Sequence, residues 1–234
     1  MKSLEREAAR DLLLLSLTAG SADAIGYLGL GLVFTSNMTG NIVLLGIDLG
    51  QGHLALASRV LYVLSMFILG LCLGAGLGKD LPEKQWSALA FRLIGLEKIA
   101  LLIFGVGWFF TADRDRVVSY GLLTLLALAM GLQSAAVYRL NAPGVGTTAI
   151  TGTLTAFTTG LINLLFGTKM EPTRREAGFQ RIRFQLVVIL LYICGAALAG
   201  LLIMQMSRLA GFLPALASFF VAFDHQKQVL SKIP

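Results

Sequence analysis

Six apolar stretches, at residues 12–33, 56–78, 93–110, 117–138, 147–167 and 184–206, carry almost no charge. Each is about 18 to 24 residues long, the length a helix rising about 1.5 Å per residue needs to cross roughly 30 Å of hydrocarbon. In lipid every backbone polar group must be satisfied within the chain, which leaves helices or closed barrels. A barrel would show alternating segments of about ten residues, and the sequence has none. Only 14% of the residues are charged and 56% are hydrophobic, with a mean hydropathy of +0.77. Soluble domains are about a quarter charged. The sequence therefore specifies an all-α polytopic membrane protein, and the lipid bilayer is its first partner.

The formal net charge of +6 does not indicate nucleic acid, because the basic residues form no single patch. They lie at the ends of apolar segments, most densely at Lys169, Arg174, Arg175, Arg181 and Arg183. That is the orientation signal of cytoplasmic loops, and it predicts an N-terminus in the cytoplasm. Residues 1–24 have the outline of a secretory signal, with Ala22-Asp23-Ala24 as the cleavage site. Glu5, Glu7 and Asp11, however, offset Lys2, Arg6 and Arg10 where a signal needs positive charge. Cys72 and Cys194 fall inside apolar stretches, with no disulfide framework and no metal spacing. The two histidines, His53 and His225, belong to no HExxH, and GxSxG and P-loop patterns are missing. Neither an enzyme nor a cofactor is expected.

The chain repeats itself. "AGSADAIGYLGLGLVFTSNMTGN" aligns with "MGLQSAAVYRLNAPGVGTTAITGT", placing Gly20 on Gly131, Ala24 on Ala135 and Thr39-Gly40 on Thr151-Gly152. Further on, "FILGLCLGAG" (67–76) resembles "YICGAALAGL" (192–201), with Gly70 on Gly195. The expected layout is two three-element repeats, at about 11–78 and 117–206, joined by one helix at about 91–111 and followed by a tail at 207–234. Seven membrane segments in a three-plus-one-plus-three plan follow if 147–167 crosses fully. Five full spans with two re-entrant elements are the alternative. Seven crossings would give both repeats the same orientation, a layout similar to that of SWEET-type sugar transporters.

The same residues carry a family resemblance. "SADAIGYLGLGLVFTSNMTGN", "LAMGLQSAAVYRL" and "TTAITGTLT" resemble the YoaK-like family of bacterial inner-membrane proteins, over nearly the whole chain. The resemblance implies a small multi-pass membrane protein of a family defined as a domain of unknown function. It implies no substrate.

Function has to come from the polar residues. Thr39-Gly40-Asn41 opens an apolar run in one repeat and Thr151-Gly152-Thr153 does so in the other. Thr and Asn there are N-cap chemistry, and paired Gly-interrupted hydrophobic segments point to a transporter's binding site. Asp23 falls inside the first span, where a carboxylate costs about 2.5–3.5 kcal/mol on insertion scales and is seldom kept without a role or a partner. It is either a proton-coupling group or half of a structural pair with Arg139 or Lys98. The expected midplane site comprises Asp23, Asn37, Thr39, Asn41, Gln133, Thr148, Thr151 and Thr153, with no metal. It would suit a small polar or anionic solute. The function reading is a small-solute transporter, with a passive channel or a membrane scaffold as alternatives. Gly70, Gly74 and Gly78 form a close-packing seam, within the bundle or between copies of the chain. Trp86 and Trp108 read as a loop residue and an interfacial anchor, Glu97 and Lys98 as structural, and 212–223 as too short to span.

Overall fold

The computed structural model describes residues 2–79, 86–111, 116–140, 145–166 and 172–230. Its helices are α1 (Lys2–Gly29), α2 (Met38–Gly50), α3 (Leu54–Gly76), α4 (Trp86–Phe110), α5 (Arg116–Leu140), α6 (Ile150–Phe166), α7 (Pro172–Gln205), the single turn α8 (Ser207–Ala210) and α9 (Phe212–Leu230). No strand occurs among the described residues. Five helices are long and apolar enough to cross a membrane: Ala9–Gly29, Leu54–Gly76, Ala88–Phe110, Arg116–Arg139 and Arg175–Gln205. The remaining two repeat elements fall short of the expected seven full crossings. α2 has 13 residues and α6 has 17, about 20 and 25 Å of rise. The run 147–167 reads as a span from composition, but its first residues belong to a non-helical turn and α6 opens only at Ile150.

Contacts along the helices fix their senses. Tyr62 meets Thr124, Gly70 lies against Gly131, Gly74 against Ala135 and Gly78 against Arg139, so α3 and α5 run parallel. Leu17 meets Gly195 and Leu28 meets Gly200, so α1 and α7 also run parallel. Gln133, late in α5, donates to the carbonyl of Leu15, early in α1; those two helices are therefore antiparallel. Opposite senses for α1 and α5 do not match the same-orientation layout expected from seven crossings. α4 packs on α5, and α2 and α6 lie on α3 and α7.

Small residues set the two parallel crossings. A Cβ on Gly20 would collide with the Tyr192 carbonyl, and one on Gly195 with that of Leu17. A Cβ on Gly131 would meet the Phe67 carbonyl, and one on Gly70 that of Leu128. Backbones this close give the van der Waals packing that holds helices together in lipid, where the hydrophobic effect gives no drive. Gly70, Gly74 and Gly78 are thus buried against α5 or its Arg139 within one chain. This seam is not available for a second copy.

Two further expectations change. Trp108 is not an interfacial anchor: it is 1% exposed, packs on Gly211 and donates Nε1–H to the Ser207 carbonyl at 2.6 Å. Trp86 opens α4 instead of sitting in a loop. α9 packs on α1 and α4, from Phe212 beside Gly105 to Val221 in the cluster with Leu12 and Leu89. It therefore runs along α4 toward the end of the bundle where α1 begins. Lys98 donates to the Phe219 carbonyl at 3.0 Å, and Glu97, fully buried, sits by Ser218.

Candidate functional site

The polar segment before α2 has a backbone problem. Residues 30–37 leave α1 and fold back beside Asp23, six residues short of the end of α1. Gly31 (φ 108°) and Leu32 (φ 61°) make the reversal in left-handed conformations. Non-helical backbone inside a membrane protein must find partners within the protein. Asp23 supplies most of them. Its Oδ1 accepts from the amides of Thr35 at 2.7 Å, Ser36 at 2.6 Å and Asn37 at 3.3 Å. Its Oδ2 accepts from the Ser36 hydroxyl at 2.7 Å and from the Tyr192 hydroxyl. Asn41 closes the other edge, accepting from the Phe34 amide at 2.9 Å and donating to the Phe34 carbonyl at 2.6 Å. Asn37 caps α2 through the Gly40 amide at 3.2 Å.

The segment before α6 is tied in the same manner with less polar means. Thr153 accepts from the Gly146 amide at 2.9 Å and donates to the Gly146 carbonyl at 3.1 Å. Ser134 bonds Thr148 at 2.8 Å, and Gln133 donates to Thr147 at 2.9 Å. α2 and α6 therefore both begin inside the bundle and run outward. α2 ends by the start of α3, whose Arg59 reaches the Gly31 carbonyl beyond α1. α6 ends by the start of α7, where Leu164 lies near Gly178.

Between the two helix starts lies a cavity of about 530 Å³. Ser36, Asn37, Met38, Thr39 and, from the other side, Thr148, Ala149, Ile150, Thr151 and Gly152 line it, with Ser134, Phe67, Leu71, Leu154 and Tyr192 completing the wall. Of the expected site residues, Asn37, Thr39, Thr148 and Thr151 line this space. Asp23, Asn41, Gln133 and Thr153 stand behind it and brace its walls, at 3%, 0%, 0% and 1% exposure. Asp23 takes backbone amides and hydroxyls, with neither Arg139 nor Lys98 among its partners. Arg139 instead donates to the carbonyls of Ala75 and Gly78. Sequence reasoning missed Tyr192 and Phe67. An aromatic on an apolar span looks like any lipid-facing or core residue, although the alignment of 192–201 on 67–76 does place the two at matching positions.

The chain is a multi-pass membrane protein, helical throughout its described regular elements, with a half-open cavity of mixed polar and apolar lining between two of its helix starts. The family model "Protein of unknown function (DUF1275)" matches residues 12–223. The UPF0700 transmembrane protein YoaK of Bacillus subtilis (strain 168) is 34% identical over 188 residues, 80% of each chain. The chain belongs to this YoaK-like family. No solved structure matches it.

Proposed function

We propose that the chain is a small-solute transport protein of the bacterial inner membrane, built from two repeats of inverted orientation, with its solute site in the cavity between α2 and α6. The observation that carries this reading is the placing of two short helices, start to start, on either side of one half-open cavity. The first turn of a helix exposes amides with no intrahelical acceptor and carries the positive end of the dipole. Two such ends facing a cavity lined by hydroxyls and amides bind a small polar solute without any charged side chain in the wall. Discontinuous helices at matching places in two repeats are where secondary transporters hold their substrates.

The duplication is supported by paired contacts. Asn41 with Phe34 corresponds to Thr153 with Gly146, and Asp23 with Ser36 to Ser134 with Thr148. Gly20 against Tyr192 corresponds to Gly131 against Phe67. Because α1 pairs with α7 and α3 with α5, the bodies that move are not the two repeats, as a rocking of one against the other would need. α6 packs on α7 and α2 on α3, while their starts are tied across, Ser36 to Asp23 of α1 and Thr148 to Ser134 of α5, so motion that opens the cavity has to release those bonds. Asp23 is the point where a proton acts: once protonated it loses a lone pair that the Thr35–Asn37 turn uses. Arg10, Lys79, Arg92, Arg139 and Arg175 lie toward the end where α1 starts, and Arg59, Arg116 and Arg208 toward the other. This bias favours a cytoplasmic N-terminus.

The test is a thermal-shift screen of the purified protein against metabolites and ions, with Asp23→Ala and Thr39→Val alongside. A ligand at a hundred times its Kd stabilises by about 2.7 kcal/mol. Hits lost in Thr39→Val place a solute at the α2 start, and flux assays in vesicles then separate transporter from channel. Silence across the panel, with folded variants, moves the reading to a scaffold.

A further inference from the structure

A second cavity, about 610 Å³ in volume, runs between α6 and α7 and meets the central one at Gly152. Thr155, Thr159, Asn163, Arg181 and Gln185 are its polar lining. Thr155, Thr159 and Asn163 are exposed and follow Thr151 at four-residue steps, so they form one stripe down the helix. The stripe leads from the central cavity to the end of the bundle where α7 begins, and Arg181 stands near that end. Among the described residues that line the groove, none is acidic.

The matching surface of the other half keeps this chemistry at one of the five positions, where Asn163 falls on Gln51, and lacks it at the other four. At the offset that places Thr39 on Thr151, Thr155 falls on Val43 and Thr159 on Ile47. At the offset that places Gly70 on Gly195, Arg181 falls on Leu56 and Gln185 on Val60. Val43 and Ile47 are exposed as lipid-facing residues are, and Val60 is buried in the core. Four apolar positions in one half are thus polar or cationic in the other. Polar and charged groups are expensive inside a membrane and mark solute pathways there. Helix packing does not require them, since α2 lies on α3 without them.

We infer that the α6–α7 groove is the entry path for a small anion travelling between the face where α1 begins and the central cavity, with Arg181 as its specificity-determining cation. This rests on the transport reading and adds the charge of the solute and its route. Hydroxyls and amides at four-residue intervals replace the water shell of a passing ion, while Arg181 raises the local anion concentration in a cleft with low-dielectric walls. A free solute and the headgroup of an acidic lipid share this chemistry; we assign the groove to the free solute, because its polar stripe continues past Gly152 to the helix starts at the central cavity.

The full-length protein in vesicles of phosphatidylcholine and phosphatidylethanolamine, probed with formate, nitrate and iodide against potassium and glycerol, tests this. Anion flux is expected to exceed potassium flux and to saturate. Arg181→Gln should raise the half-saturation concentration roughly tenfold, Arg181→Lys should restore most of it, and Arg175→Gln, which removes the same charge outside the groove, should leave it unchanged. Glycerol flux without anion flux, or anion flux indifferent to Arg181→Gln, overturns the inference while leaving the central site standing. No flux of any probe overturns both. If the wild type but not Arg181→Gln retains phosphatidylglycerol in native mass spectrometry and anion flux is the same in both, the groove is a lipid site and the inference fails.

Discussion

Replacing Asp23 separates a tether from a bystander. In Asp23→Ala the amides of Thr35 and Ser36 and the hydroxyls of Ser36 and Tyr192 lose their acceptor. Thr35 and Ser36 are 0% and 2% exposed, so water does not readily replace it. A buried donor left unmade costs about 1–3 kcal/mol. Hydroxyls can turn toward other acceptors, and the Tyr192 and Ser36 side chains border the cavity, so the lower end applies to them. The expected loss is about 3–5 kcal/mol for Asp23→Ala. Asp23→Asn keeps one oxygen for the Thr35 and Ser36 amides and turns its NH2 toward two hydroxyls able to accept, so it should cost only about 1–2 kcal/mol. Tyr192→Phe removes one bond; membrane double-mutant cycles average about 0.6 kcal/mol with a maximum near 1.7. The assay is denaturation in mixed detergent micelles, followed by the emission of Trp108 in a Trp86→Phe background. Equal effects from Ala and Asn, both within about 1 kcal/mol of wild type, would refute the tether.

Other outcomes follow from the same contacts. Asn41→Ala should destabilise more than Thr153→Ala in the same denaturation assay, because the amide side chain holds its loop at a longer reach and through two separate atoms. Gly20→Leu and Gly131→Leu should abolish the folded monomer on size exclusion, since each Cβ meets a carbonyl, whereas Gly95→Ala, with nothing within 4 Å, should leave it intact. A charged methanethiosulfonate reagent should modify Thr39→Cys and Thr151→Cys in membranes but not the lipid-facing Cys72 and Cys194. Glu97→Met should hold or raise stability, because Glu97 is fully buried with no hydrogen-bond partner for either oxygen among the described residues.

Much of this arrangement can be read from the residues, and the failures have physical causes. Thr39 and Thr151 declare themselves as helix starts because Gly and Asn or Thr follow them at matching places, and the two starts do share a cavity. Asp23 stands out because carboxylates are costly in lipid, yet its task is invisible in one dimension: most of its donors are backbone amides, which nearly every residue has. The lengths of α2 and α6 are hidden because an apolar run does not reveal where helix gives way to turn, as at 145–149. The senses of α1 and α5 depended on that same ambiguity, since one crossing more or fewer inverts everything after it. Glycine positions were legible as close approaches, but not which helix approaches which.

The parallel pairing of α1 with α7 has a consequence for how the chain is made. Of the five long helices, α1 has the lowest mean hydropathy, 1.4 against 2.8 for the last of them, and 61% of its apolar window is buried in the folded bundle. Its buried face carries Ser16, Thr18, Ser21 and Asp23, groups suited to neighbours and not to lipid. Yet Gly195, which seats against Leu17, is made some 175 residues after Gly20, roughly 9–35 s later at 5–20 residues per second. For that time α1 lacks the close seat on α7, although α4 and α5, which meet Leu12 and Leu15, are already made. Its polar face must be held at the insertion machinery or against the helices already made, and the α1–α7 crossing can lock only once Gly195 is in place.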